Sequence, residues 1–166
     1  MEFKEIYKKI TNSPVFENFI KNHPDAELVA GFFIIDFLED NNQRALDYKD
    51  KDKIFTFSLN KNNEITLKQD KLIETSKHPK LTKIYPKTNI KLNELKSIAK
   101  INALDNRIKS KFQKIIAVLQ NYENKQIWNL TCILENMIIL NILIDSETSK
   151  IIKFEKKNLM DFIKKK

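Results

Sequence analysis

Apolar positions in the first 22 residues recur with a helical period. Phe3, Ile6, Tyr7 and Ile10 fall at i, i+3, i+4 and i+7, which is one face of a helix. Ser13-Pro14 restarts the pattern, with the serine as N-cap and the proline at the first helical position. Val15, Phe16, Phe19 and Ile20 carry the apolar face on to about Asn22, and Asn22-His23-Pro24-Asp25 ends it.

The period then changes to two. From Glu27 to Phe37, Leu28, Ala30, Phe32 and Ile34 point one way and Val29, Gly31, Phe33, Ile35 and Phe37 the other. Both sets are apolar, so this strand is expected at the centre of a sheet or covered on both sides. Gly31, the sole glycine, suggests a bulge or a close approach by a helix. Strands are predicted at Arg44 to Tyr48, Lys53 to Leu59 and Glu64 to Lys68, separated by turns at 39–42, 49–52 and 60–63. Residues 70–89 hold two prolines and little periodicity, and read as a connector.

A helix is predicted from about Asn93 to Asp105, burying Leu92, Leu95, Ile98 and Ala99. Residues 112–120 allow either an extension of this helix or a strand. The β-branched Ile115, Ile116 and Val118, and the turn that follows, favour the strand. Further strands are expected at Gln126 to Leu134, Met137 to Ile144 and Lys150 to Phe154. A short final helix opens at Asn158 and carries Leu159, Phe162 and Ile163. The expected fold is therefore α+β, a tandem pair of helix-plus-four-stranded antiparallel units closed by a C-terminal helix. The boundaries are 1–70 for the first unit, 71–90 for the connector and 91–166 for the second. Equivalent elements recur at an offset near half the chain, which suggests a duplicated unit. One helix on one sheet of this size has a marginal core, so the two units are expected to pack as one body.

Residues Gln126-Ile127-Trp128-Asn129-Leu130, Ile142-Leu143-Ile144-Asp145 and Thr148-Ser149-Lys150-Ile151-Ile152 resemble the small repeat known as PepSY. In that pattern a tryptophan strand precedes an apolar strand ending in Asp, then a small-residue turn; Ser149 stands where a glycine is usual. A helix followed by four antiparallel strands also resembles the cystatin-like arrangement. The inhibitory Gln-Val-Val-Ala-Gly pattern of cystatins is absent, and Leu28-Val29-Ala30-Gly31 echoes it only inside a predicted core strand. The whole chain looks like small uncharacterised proteins of archaeal genomes. The PepSY resemblance implies inhibition or binding rather than catalysis.

Charge adds a second layer. The 166 residues carry a formal charge of +8, and Arg44 and Arg107 are the only arginines among 30 basic residues. Lysine is a flexible point charge without the planar fork that reads base edges. From Lys77 to Lys114 there are about eleven basic residues against Glu94 and Asp105. Lys80, Lys83, Lys87, Lys91, Lys96, Lys100, Lys109, Lys111 and Lys114 are thus candidate contacts for nucleic acid or an acidic partner. An A+T-biased coding sequence is the competing source of the lysine excess.

Catalytic signatures are missing. One glycine cannot build a phosphate-binding loop. His23, His78 and Cys132 lack metal-ligand spacing, and both histidines precede prolines in polar segments and read as solvated loop residues. Cys132 lies among apolar residues and reads as a buried thiol. The carboxylate pairs Glu39-Asp40, Asp50 with Asp52 and Asp145 with Glu147 lie in turns, where capping is their usual role. Tyr122 and Trp128 flank a hairpin tip and could offer exposed aromatic contacts, with core packing as the alternative for Trp128. The basic amphipathic segment Phe154 to Lys166 could dock on its own sheet or lie on an anionic membrane.

Neither a leader-like N-terminus nor a run of roughly 20 apolar residues is present, and the lone cysteine precludes an internal disulfide, so a cytoplasmic location is expected. The functional expectation is a non-enzymatic binding module for another protein, with no cofactor or metal. The alternative is a non-specific nucleic-acid-binding protein using the lysines above.

Overall fold

The structure, a computed structural model, describes residues 2–71 and 81–160. Helix α1 spans Phe3–Thr11 and α2 spans Pro14–Asn22. Ser13 joins them: its hydroxyl accepts from the Phe16 N–H at 3.2 Å and donates to the Ile10 carbonyl at 2.6 Å. One side chain thus closes the first helix and caps the second. Four strands follow, β1 (Glu27–Asp36), β2 (Gln43–Asp50), β3 (Lys53–Leu59) and β4 (Ile65–Lys71). Helix α3 (Leu92–Asp105) precedes β5 (Phe112–Tyr122), β6 (Lys125–Leu134), β7 (Ile138–Asp145) and β8 (Ile151–Asn158).

The expectation of two tandem helix-plus-four-strand units is overturned. All the strands form one eight-stranded antiparallel sheet in the order β4-β3-β2-β1-β5-β6-β7-β8. The seam is β1 against β5, with Gly31 opposite Leu119 and Asp36 opposite Lys114. A separate four-stranded unit would leave β1 and β5 as bare edges, each with apolar residues on both faces. Pairing them satisfies both backbones and puts both strands at the sheet centre.

The large core cluster of the described residues lies on one face of this sheet. Phe3, Ile6, Ile10 and Phe19 from α1 and α2, and Leu95, Ala99 and Ala103 from α3, share it with Phe33, Leu46, Phe57, Ala117, Leu130 and Ile142 from the strands. Gly31 is where helix meets sheet. A Cβ there would lie 2.6 Å from Phe3 Cε2 and 3.1 Å from Phe33 Cε2, so only glycine admits the Phe3 ring. That ring meets Phe33 at 5.6 Å and Trp128 at 6.3 Å, both edge-on.

Residues 112–120 are strand, with no helical extension. β4 and β8 each run further than the periodicity suggests, to Lys71 and to Asn158. Leu159 and Met160 are helical, and the remainder of the expected C-terminal helix lies outside the described residues. The described part of the connector, 81–90, is tied down. Ile84 and Ile90 are buried, the Ile84 N–H donates to the Leu28 carbonyl at 2.8 Å, and the Asn89 N–H donates to the Ser146 carbonyl at 3.0 Å. Among the described residues no helix is long and apolar enough to cross a membrane.

Candidate functional site

Alternation along β1 and β5 sends half of their side chains away from the helices. On that far face Phe32 lies between Ala45 of β2 and Val118 of β5, and Ile34 lies beside Ile116. Phe32, Ile34, Ile116 and Val118 are half-buried, and none belongs to the helix-side core. The result is an apolar band down the middle of the sheet, with mostly polar ground toward β3 and, toward β7, the buried Ile127 and Leu143 among polar neighbours. A hollow of about 450 Å³ opens at one end of it, lined by Phe32, Ala45, Thr56, Ser58 and Thr66 together with the asparagine-rich loops at 41–42 and 60–62.

The flanks of the band differ. On the β2–β3 side, the Thr56 hydroxyl donates to Asp47 Oδ1 at 2.6 Å. Burial pushes the Asp47 carboxyl above its ordinary range, and the neighbouring Asp70 charge adds to this against the opposing effect of the Thr56 bond. On the β6–β7 side, Asn141 Nδ2 donates to Asn129 Oδ1 at 3.0 Å and to the Leu130 carbonyl at 3.3 Å. The face therefore offers apolar contact at its centre, a carboxylate acceptor on one flank and a neutral amide pair on the other.

The outer strands are poorer candidates for binding. β4 carries Lys68, Gln69, Asp70 and Lys71, and β8 carries Lys153, Glu155, Lys156 and Lys157. Charged side chains on an edge discourage addition of another strand.

The lysines singled out above do not gather on one surface. Lys83 and Lys87 belong to the connector at the end of the sheet where β6 starts; Gln126 Nε2 donates to the carbonyls of Tyr85 and Lys87. Lys91 is the N-cap of α3. Lys96 and Lys100 lie further along α3, their ammonium groups 5.3 and 4.8 Å from the centre of the Phe37 ring. Lys109 and Lys111 lie on the segment leading into β5, close to the same ring. Lys114 is on the helix-free face opposite Asp36. Lys80 lies outside the described residues, as does His78.

Trp128 is not an exposed aromatic contact. It is fully buried on the helix side, and its indole N–H donates to Thr88 Oγ1 at 3.0 Å. The strand alternation that puts Leu130 and Cys132 in the core puts Trp128 there too. Tyr122 is half-buried and shares the helix-free face with Val118. His23 is not a solvated loop histidine. Its Nδ1 lies 2.7 Å from Asp50 Oδ2, and its ring stacks on Phe19 at 5.0 Å and meets Phe55 at 4.5 Å. Nothing in the local sequence marks this contact, because Asp50 arrives from the far end of β2. Cys132 is buried, which pushes its thiol up to about 12 and keeps it protonated.

Of the turn carboxylates, Asp145 caps backbone, Asp50 pairs with His23, and Asp36 at the end of β1 caps the turn that follows it. Asp145 accepts from the Glu147 and Thr148 N–H groups, and Asp36 from those of Leu38 and Glu39; these bonds hold both carboxyls below the ordinary range. Among the described residues no group of three or more His, Cys, Asp or Glu side chains could hold a metal ion.

No family model matches the chain, and no curated protein does. A solved structure from Clostridium difficile 630, described as "a putative lipoprotein", is similar in fold, with a TM-score of 0.58 at 13% identity. The likeness covers 86% of this chain and 90% of that one. At that identity it speaks for the arrangement of the strands and helices alone.

Proposed function

We propose that the chain is a non-enzymatic binding module that presents the helix-free face of its sheet to another protein. The observation that carries this reading is the band Phe32, Ile34, Ile116 and Val118, apolar, central, half-buried and outside the helix-side core. Apolar surface held together on one face marks a place where a partner removes it from water. The Asp47 carboxylate at its border would fix orientation by accepting a bond from a lysine, arginine or hydroxyl of the partner.

The test is capture from the source cell with wild type, with Val118→Lys, and with Lys96→Glu/Lys100→Glu. A defined protein should be retained by wild type and by the lysine variant and lost with Val118→Lys, at unchanged melting temperature. Retention unaffected by Val118→Lys overturns the reading. So does retention of nucleic acid at physiological salt that disappears in the lysine variant, which would favour an electrostatic nucleic-acid binder.

A further inference from the structure

A second surface, away from that face, combines features that the binding reading does not use. Where the end of α3 meets β1 and β5 there is a hollow of about 370 Å³. Its floor is apolar: the Phe37 and Phe112 rings meet edge-on at 6.2 Å, and Ala103 and Ile108 are buried beside them. Its rim is cationic, formed by Lys100, Lys109 and Lys111, with Lys96 close by.

The two α3 lysines are unusual in sharing one ring. Both ammonium groups lie within 5.3 Å of the Phe37 centroid, so two cations border one ring. The ring attracts each cation but carries no net charge to neutralise it. Among the described residues none of the four ammonium groups has a carboxylate within ion-pair distance. His23 with Asp50 and Lys153 with Glu155 are ion pairs elsewhere among the described residues. Leu104, on the lip of the hollow, is 63% exposed, a large aliphatic side chain left in water beside a site that could shelter it.

We propose that this hollow binds an anionic amphiphile: one carboxylate or phosphate group joined to an apolar chain. The anion sits among Lys96, Lys100, Lys109 and Lys111 and balances their charge. The chain lies over Phe37 and Phe112 and covers Leu104. A neutral chain leaves the lysines uncompensated, and a small anion leaves Leu104 exposed, so the site selects for the two parts together. The same chemistry is offered by a free fatty acid and by an anionic lipid of a bilayer.

The experiment titrates the whole chain with monomeric decanoate and with decanol, following the backbone resonances of Phe37, Ala103, Ile108 and Phe112. Decanoate should shift these and bind roughly tenfold or more tighter than decanol, a difference set by the charge. Lys96→Gln/Lys100→Gln should weaken decanoate by a similar factor at unchanged melting temperature. If that variant loses stability, Lys109→Gln/Lys111→Gln, on exposed lysines, should show the same weakening. Val118→Lys should leave decanoate affinity unchanged, which separates this site from the sheet face. A parallel arm sediments the protein with phosphatidylcholine vesicles with and without phosphatidylglycerol. Lysine-dependent pelleting only with the anionic lipid assigns the ligand to a bilayer, and decanoate binding without pelleting assigns it to a free amphiphile. Equal affinity for decanol, shifts centred on Phe32 and Val118, affinity unchanged in both lysine variants, or no binding in either arm overturns the proposal.

Discussion

Phe32 and Phe33 are neighbours on β1 and face opposite sides of the sheet. Phe33 is 1% exposed, and its ring meets Phe3 at 5.6 Å and Trp128 at 5.7 Å. Phe32 is half-buried, beside Ala45 and Val118 of the neighbouring strands and outside the helix-side core. The residue type is the same, so the difference lies in what covers each ring. The helix face has spent its apolar surface on folding, whereas the other face still holds some in reserve. That asymmetry separates residues that hold the fold together from residues available to a partner.

The comparison breaks most visibly through truncation. Phe33→Ala should cost about 3–5 kcal/mol in urea unfolding, the range for emptying a packed aromatic site. Phe32→Ala should cost well under half of that, since less contact is lost. Equal costs would mean that the far face is packed as tightly as the core, and the binding reading would lose its basis.

Gly31 sharpens the same contrast from the backbone side. Gly31→Ala pushes a methyl into the Phe3 ring and should destabilise by about 1–3 kcal/mol, the usual cost of overfilling a core. Phe3→Leu in the same chain should recover part of the loss. Additive costs in the double variant would show that Phe3 is not what excludes the side chain.

Ser13→Ala should cost about 1 kcal/mol through the lost cap, with chemical denaturation as the readout. The effect expected to be smallest belongs to Asp47, and its sign is opposite. Its folded-state carboxyl titrates above the ordinary 3.8, so near that pH the native state holds a proton that the unfolded chain releases. The contribution of Asp47 to stability is therefore greatest below 3.8, falls as the pH rises through the folded value, and stays low above it. Asp47→Asn keeps an acceptor for Thr56 and removes the buried charge. It should raise the melting temperature slightly at neutral pH and flatten the profile in the acid range; a fall at neutral pH would show that the charge is compensated.

Much of the local structure was legible because its causes are local. The Ser13-Pro14 restart, the asparagine turn at 60–63 and the two-sided apolar pattern of β1 each follow from a few adjacent residues. The joining of two sets of strands into one sheet was not legible, because the β1–β5 pairing is written nowhere in short-range pattern. The candidate face was half-visible. Phe32, Ile34, Ile116 and Val118 could be placed on alternating positions, but only the packing of α1, α2 and α3 on one side shows which alternation stays out of the core. His23 with Asp50, and the four lysines around Phe37, depend on chain segments brought together from a distance. Trp128 was open to two readings until the register of β6 decided it.

The β1–β5 seam has a kinetic consequence. Every other strand pair joins neighbours in the chain through a short turn, so those hairpins close over small loops. At the seam the paired residues lie roughly 80 positions apart, a larger entropic cost that no early contact repays. Refolding should therefore build two four-stranded meanders first and zip them together last. Until that step, β1 and β5 are open, apolar edges, and the half-built chain is at its most prone to pair with another copy of itself.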